Sequence, residues 1–163
     1  MREFETPWKK LILATLLTLI SLVSSASHIV GGEMSYSCLG NNYYKLTLRY
    51  YRDCNGVVMP KNATIHVANP AGTVLQTFTV NKGPVSSLNI SQPGCGQPTP
   101  SGCIETSTYE VDSVYLPAGP SFYVIYNQEC CRNNNVSNIP NAWSVGATFP
   151  AYLYPATAGS CNN

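Results

Sequence analysis

The sequence is poor in charged residues. Lysine, arginine, aspartate and glutamate make up 10% of its 163 residues, whereas about 25% is usual in soluble proteins. Positive and negative side chains nearly cancel, which leaves a formal net charge of +1 at pH 7. Nucleic-acid binding depends on clustered lysine and arginine, and no such cluster is present, so we expect no nucleic-acid partner. The surface is expected to be polar but uncharged, as in many secreted β proteins.

Helical periodicity is missing after residue 26. No stretch there carries apolar residues at helical spacing over three turns, and proline, glycine or asparagine interrupts nearly every window of ten. Any helix in this part of the chain is therefore expected to be short.

Alternating apolar and polar residues predict strands instead. The clearest run spans Tyr43–Tyr51, where every second residue from Tyr44 to Tyr50 is apolar or aromatic. A weaker run, Gly32–Cys38, precedes it, and the turn-forming Gly40-Asn41-Asn42 between them predicts a β-hairpin.

Five further strand candidates are each bounded by Gly, Pro or Asn. They are Ala63–Ala68, Val74–Val80, Val85–Ile90, Thr106–Leu116 and Ser121–Gln128. Seven or eight short strands, without helices to connect parallel neighbours, predict an all-β fold. An antiparallel immunoglobulin-like β-sandwich is the expected architecture, with a jelly roll as the alternative.

The first 26 residues have the layout of a secretory signal peptide, which we expect to be helical. Lys9 and Lys10 precede an uncharged run, Leu11–Val23, and Ser24-Ser25-Ala26 supplies the small residues that a signal peptidase reads. The apolar run is shorter than the roughly 20 residues of a membrane span, although an uncleaved N-terminal anchor is the alternative. We therefore predict cleavage near Ala26 and one exported domain over residues 27–163.

All seven cysteines follow the predicted cleavage site, so an oxidising compartment would let them form disulfides. These disulfide candidates are Cys38, Cys54, Cys95, Cys103, Cys130, Cys131 and Cys161. A Cys95–Cys103 bridge would close a short proline-rich loop. Neighbouring side chains on a strand point to opposite faces, so Cys130 and Cys131 are expected to have different partners, with Cys38 and Cys54 as candidates. A direct Cys38–Cys54 bridge fits the hairpin poorly.

The connectivity is otherwise open. An odd number of cysteines leaves one thiol free, bonded to another chain, or matched to a cysteine outside this sequence.

Motifs of catalysis and of metal binding are lacking. There is no C-x-x-C pair, and His28 and His66 have no ligand spacing to a cysteine, so we expect no metal site. Ile29-Val30-Gly31-Gly32 matches the start of a mature chymotrypsin-like protease, but no nucleophile or base segment accompanies it. Glu110 and Asp112 would share a strand face, as the paired carboxylates of a glycoside hydrolase could. Charged residues on the outer face of a strand are ordinary, however, so this pair does not indicate that chemistry. We therefore expect that the protein is not an enzyme and that it has no catalytic residue and no cofactor.

Four segments carry a further signal when they are taken together: Ser27–Asn42, Tyr50–Cys54, Cys103–Thr106 and Cys130–Asn133. In combination they resemble the N-terminal region of large surface proteins of gliding bacteria. Those proteins carry PKD-like or immunoglobulin-like modules and a gliding-motility-associated C-terminal domain, which serves as a type IX secretion signal. The resemblance implies a secreted or cell-surface, adhesin-like protein without catalytic residues. It also makes residues 27–163 either the N-terminal part of a longer protein or a short stand-alone relative.

Three functions are compatible with these observations. The leading expectation is a non-enzymatic structural or adhesin-like module at the cell surface, whose partners are other surface proteins or extracellular glycans. The first alternative is a carbohydrate-binding module that uses exposed tyrosines such as Tyr43, Tyr51, Tyr152 or Tyr154. The second is a subunit of an extracellular polymer, which self-assembles through an edge strand or through Cys161.

Overall fold

The computed structural model describes Trp8 and residues 29–88, 103–130 and 146–155. Eight strands lie in these ranges: β1 (Ile29–Gly40), β2 (Tyr43–Asp53), β3 (Asn62–Ala68), β4 (Val74–Asn81), β5 (Ser86–Leu88), β6 (Ile104–Tyr115), β7 (Tyr123–Glu129) and β8 (Ala147–Leu153). The first sheet has the order β1-β2-β6-β5 and the second sheet β4-β3-β7-β8, and every pairing is antiparallel. The predicted all-β sandwich is confirmed.

The alternation in β2 produces the predicted hairpin with β1. Every second side chain from Tyr44 to Tyr50 is no more than 2% exposed, because strand geometry turns these residues to one face. The connecting residues Gly40, Asn41 and Asn42 all have positive φ angles, of 94°, 52° and 63°. Glycine and asparagine adopt this left-handed region more readily than other residues, so the turn residues fix where the chain reverses.

The strand order is that of an immunoglobulin-like sandwich. In chain order the eight strands take the positions A, B, C, C′, D, E, F and G, with A-B-E-D in the first sheet and C′-C-F-G in the second. The Tyr123 hydroxyl, at the start of the F-position strand β7, donates a 2.8 Å hydrogen bond to the Pro117 carbonyl. This contact corresponds to the tyrosine corner of that fold. The topology decides against the jelly roll.

One apolar core lies between the two sheets. Its fully buried aliphatic side chains come from both sheets and from the segment before β7: Leu46, Leu48, Ile65, Val67, Leu116, Ile125 and Leu153. Each such side chain contributes about 1.5 to 3 kcal/mol when it is removed from water. Packing across the sheets therefore holds them together.

Strand β8 has no counterpart among the predicted strands. Pro150 lies in its middle, and proline cannot donate a ladder hydrogen bond, so a proline within a run argues against a central strand. Within the described part of the chain β8 pairs only with β7, so it forms an edge of the second sheet, where proline is tolerated. Leu153 is fully buried, and Phe149 and Ala151 pack against the core.

Strand β1 begins at Ile29, three residues after the predicted cleavage site. Apart from Trp8, the predicted signal peptide lies outside the described residues. Its cleavage and the limits of the domain therefore stay predictions. In the ranges given above, no helix is both long enough and apolar enough to cross a membrane.

Candidate functional site

A disulfide joins Cys54 to Cys103 at one end of the first sheet, with 5.4 Å between the two Cα atoms. It links the residue after β2 to the residue before β6. Asp53 and Ile104 are opposite each other in the ladder, so the next position outward brings the two cysteines together. The predicted Cys95–Cys103 bridge is therefore wrong, because proximity across the sheet outweighs proximity along the chain.

Cys38 and Cys130 each take part in a disulfide as well. Cys54 was one candidate partner for Cys130 and Cys131, and its bond to Cys103 makes that pairing wrong. Cys131, Cys95 and Cys161 lie outside the described residues. Separate partners for the two adjacent cysteines and linkage through Cys161 stay predictions.

A buried ion pair lies beside the Cys54–Cys103 bridge. Arg52 is 8% exposed, and its Nε and Nη2 atoms donate to the Glu105 carboxylate at 2.9 and 2.6 Å. Its Nη1 atom donates to the carbonyls of Gly56 and Val57, both at 2.9 Å. One guanidinium thus joins β2, β6 and the loop after Cys54. Four of its five N–H donors are thus used within the fold, so this arginine is structural.

A buried polar network crosses between the sheets. The Tyr50 hydroxyl donates to Asn127 Oδ1 at 2.6 Å, and Asn127 Nδ2 donates to the Thr64 carbonyl at 2.8 Å. A Glu129 carboxyl oxygen lies 3.2 Å from the same hydroxyl. Tyr50 and Asn127 are at most 1% exposed, so a substrate has no access to them. The network therefore specifies the packing of the sheets.

Burial shifts the acid–base chemistry of this network. It raises the pKa of the Glu129 carboxyl above its ordinary value, and the hydrogen bond with Tyr50 opposes that rise. Burial, aided by the Glu129 charge, also raises the pKa of Tyr109 to about 12. The Tyr109 hydroxyl donates to the Pro60 carbonyl at 2.6 Å. Shifted pKa values often mark active sites, but here their cause is burial in the core.

The outer face of the first sheet carries two ion-paired clusters. Arg49 Nη1 lies 2.9 Å from Glu33 Oε1, and the Tyr51 hydroxyl donates to the same oxygen at 3.1 Å. Lys45 Nζ lies 2.8 Å from Glu110 and 3.9 Å from Asp112. Glu110 and Asp112 thus share a lysine, and the hydrogen bond that Lys45 donates to the Glu110 carboxylate raises the pKa of that lysine.

A groove of about 430 Å³ opens on this outer face. Its lining residues come from β2, β5, β6 and the segment before β5: Arg49, Tyr51, Pro84, Ser86, Leu88, Thr106, Ser107 and Thr108. Thr106 lies opposite both Tyr51 and Ser86, and Thr108 lies opposite Arg49. Three strands therefore contribute neighbouring side chains to a single concavity.

The tyrosines proposed from the sequence occupy three separate places. These candidates are Tyr43, Tyr51, Tyr152 and Tyr154. Tyr43 packs against Tyr115, with 5.3 Å between ring centroids, whereas Tyr51 lines the groove. Tyr152 and Tyr154 flank Phe122 on the outer face of the second sheet, at 5.8 and 5.9 Å. Sequence reasoning missed Phe122 and Arg49, because their neighbours are known only once the strands pair.

His66 lies on the outer face of the second sheet. Its Nδ1 atom is 3.1 Å from the Thr77 hydroxyl, and its ring lies 5.0 Å from that of Tyr126. Within the described ranges, no three His, Cys, Asp or Glu side chains are grouped so that they could hold a metal ion. His28 lies outside those ranges.

Comparison with known proteins gives no relative. No family model matches the chain, and neither a curated protein nor a solved structure matches it.

Proposed function

We propose that this chain is an exported, non-enzymatic module with a structural or adhesive role at a bacterial cell surface. The observation that carries the proposal is the Cys54–Cys103 disulfide, with Cys38 and Cys130 also disulfide-bonded. Disulfides form and persist in oxidising compartments and are rare in the cytosol. A sandwich closed by such bonds is suited to work outside the cell.

The position of β1 supports export with cleavage of the N-terminal segment. Ile29 is 8% exposed and lies opposite Arg52 in the ladder. Cleavage after Ala26 would leave Ser27 and His28 ahead of β1 and would keep every described residue of that strand. The resemblance to the N-terminal region of gliding-bacterium surface proteins favours the same location and a type IX route across the outer membrane.

Localisation of the full chain tests this function. In a gliding bacterium, an epitope-tagged chain should become accessible to antibody and to protease on intact cells. Leu16→Arg, which places a charge in the predicted apolar run of the signal peptide, should retain the chain inside the cell. The matched Leu16→Ile variant should be exported normally. Cytoplasmic retention of the unmodified chain, with reduced cysteines, would refute the proposal.

Carbohydrate binding is the second candidate, and two observations favour it. Tyr51 lines a groove, and Tyr152 and Tyr154 form an exposed aromatic cluster with Phe122. Aromatic rings offer an apolar face to a sugar ring, while hydroxyl and charged side chains supply hydrogen bonds. An adhesive module with such a site would attach to extracellular glycans.

A further inference from the structure

We propose that the groove on the outer face of the first sheet binds one or two pyranose units of a neutral glycan. The inference rests on the proposed adhesive function and deepens it by naming the site and the class of ligand. The groove combines four features that suit such a ligand: balanced charge, an oriented aromatic ring, a hydroxyl-rich floor and a suitable volume.

The charge of the groove is balanced at its rim. Among the described residues that line the groove, Arg49 is the only charged one, and the Glu33 carboxylate 2.9 Å away neutralises it. A guanidinium has five N–H donors, more than its contacts with Glu33 and Tyr51 use. The side chain of Arg49 is 45% exposed and that of Glu33 51% exposed. Together they offer donors and acceptors to adjacent sugar hydroxyls. Because their charges cancel, they do not favour an anionic ligand.

The ring of Tyr51 is held in place at the same rim. Its hydroxyl donates to Glu33 Oε1 at 3.1 Å, so both ends of the side chain are fixed. Pro84 and Leu88 contribute apolar surface across the groove. A pyranose ring has an apolar C–H face and a polar edge, and the groove presents an aromatic ring and hydrogen-bonding groups side by side.

The floor of the groove contains an unsatisfied hydroxyl. Thr106 Oγ1 is buried and has no hydrogen-bond partner among the described residues. Buried polar atoms nearly always have a partner, so an exception calls for an explanation. Thr108 and Ser86 supply further hydroxyls in the same concavity. Because Thr106 lines the groove, a sugar hydroxyl bound there would lie beside this side chain and could supply the missing partner.

Gly83 allows the wall of the groove to approach this floor. Its amide donates to the Thr108 carbonyl at 2.8 Å. A Cβ atom at this position would lie 3.0 Å from that carbonyl oxygen and 3.2 Å from the Thr108 hydroxyl. A larger residue would therefore push the wall away. The volume of about 430 Å³ falls within the range of small-molecule sites.

Calorimetric titration of the secreted, oxidised chain tests the assignment. The probes are four neutral trisaccharides, built of β-linked glucose, α-linked glucose, mannose and N-acetylglucosamine, together with sialyllactose. We expect saturable binding of at least one neutral trisaccharide. Tyr51→Ala should weaken that binding at least tenfold, whereas Tyr115→Ala, which removes an exposed tyrosine at the far end of the sheet, should leave it unchanged.

Thr106→Val provides the sharper test because it preserves shape and removes the unsatisfied hydroxyl. It should weaken glycan binding at least threefold while the midpoint of thermal unfolding stays the same or rises. Binding to none of the trisaccharides, or binding confined to sialyllactose, would overturn the inference. Loss of binding in Tyr152→Ala but not in Tyr51→Ala would also overturn it, by placing the site on the second sheet. In each case surface exposure of the unmodified chain would leave the proposed function standing.

Discussion

Tyr50 links the two sheets through a single hydroxyl. Replacing it with phenylalanine keeps the ring between Tyr109 and Phe149 but removes the donor to Asn127 Oδ1. That buried oxygen would lose its partner, so we expect the free energy of unfolding to fall by about 1 to 3 kcal/mol. Urea unfolding of the oxidised chain measures this change. Tyr115→Phe, at a residue that is 49% exposed, is the control and should alter stability by less than about 0.5 kcal/mol.

Glu129 makes stability depend on pH in an unusual direction for a carboxylate. Because burial raises its folded-state pKa above the ordinary value of 4.5, the folded state binds the proton more tightly than the unfolded state does. The free energy of unfolding should therefore fall as the pH rises from that value through the raised pKa. Glu129→Gln removes the titrating group and should lack this decline. Its free energy of unfolding, relative to that of the unmodified chain, should therefore be higher at neutral pH than at pH 4.

Urea unfolding of both proteins between pH 4 and pH 8 measures that difference. The difference between the two curves isolates Glu129 from the other titrating groups. If the free energies of unfolding of the two proteins run parallel over the whole pH interval, Glu129 has an unshifted pKa in the folded protein.

At the scale of elements, the Cys54–Cys103 bridge fastens β2 to β6 across a sequence separation of 49 residues. A disulfide restricts the unfolded chain more when the loop it closes is longer. The double variant Cys54→Ser with Cys103→Ser should therefore lose about 3 to 4 kcal/mol, more than removal of a bridge closing the short Cys95–Cys103 loop would cost. Denaturant unfolding under oxidising conditions measures the loss.

The contrary outcome would be a double variant as stable as the unmodified chain. That result would mean that the Arg52 contacts already restrain this end of the sheet without the covalent bond. Arg52→Met in the unmodified chain and in the double variant separates the two contributions. If the bridge and the ion pair are independent, the two losses add.

Pattern reasoning predicts strands well where one face is buried, as in β2. It missed β8 because Pro150 interrupts the run, although the alternation of Phe149, Ala151 and Leu153 was visible in the sequence. An edge position is what makes the proline acceptable, and the sequence does not reveal which strands are edges. The disulfide was misassigned for a related reason, since the Cys54–Cys103 contact follows from the register of β2 and β6.

The groove was predictable only in part. Tyr51 was a candidate for sugar contact because an exposed tyrosine can stack on a sugar ring. Its groove neighbours Ser86 and Thr106 come from strands far along the chain, and only sheet pairing brings them beside it. Single-residue signals therefore identify participants in such a site, whereas the site itself is a property of the assembled sheet.

At the scale of the whole molecule, the two outer faces differ in chemistry. That of the first sheet carries ion pairs and hydroxyls around the groove. That of the second sheet carries the aromatic cluster of Phe122, Tyr152 and Tyr154. Among the described residues β4 pairs with β3 only, and its Val74 and Leu75 are 44% and 48% exposed. Variants on one face thus leave the other face intact, which makes their effects separable.

The shared core predicts that the sandwich unfolds as one cooperative unit. Leu48 from the first sheet and Ile125 from the second are both fully buried in it. Leu48→Ala and Ile125→Ala should each lower the free energy of unfolding by about 2 to 5 kcal/mol, because each leaves a cavity that both sheets line. Leu39→Ala, at a residue that is 54% exposed, is the control and should have little effect.

Cooperativity is read from two probes of the same transition. Far-ultraviolet circular dichroism follows the strands, and near-ultraviolet circular dichroism follows the buried tyrosines. For a single core the two curves should coincide in each variant, and the whole transition should shift together. If Ile125→Ala moved one curve and not the other, the second sheet would be unfolding on its own. The tyrosine corner and the Tyr50–Asn127 bond would then be too weak to couple the two sheets.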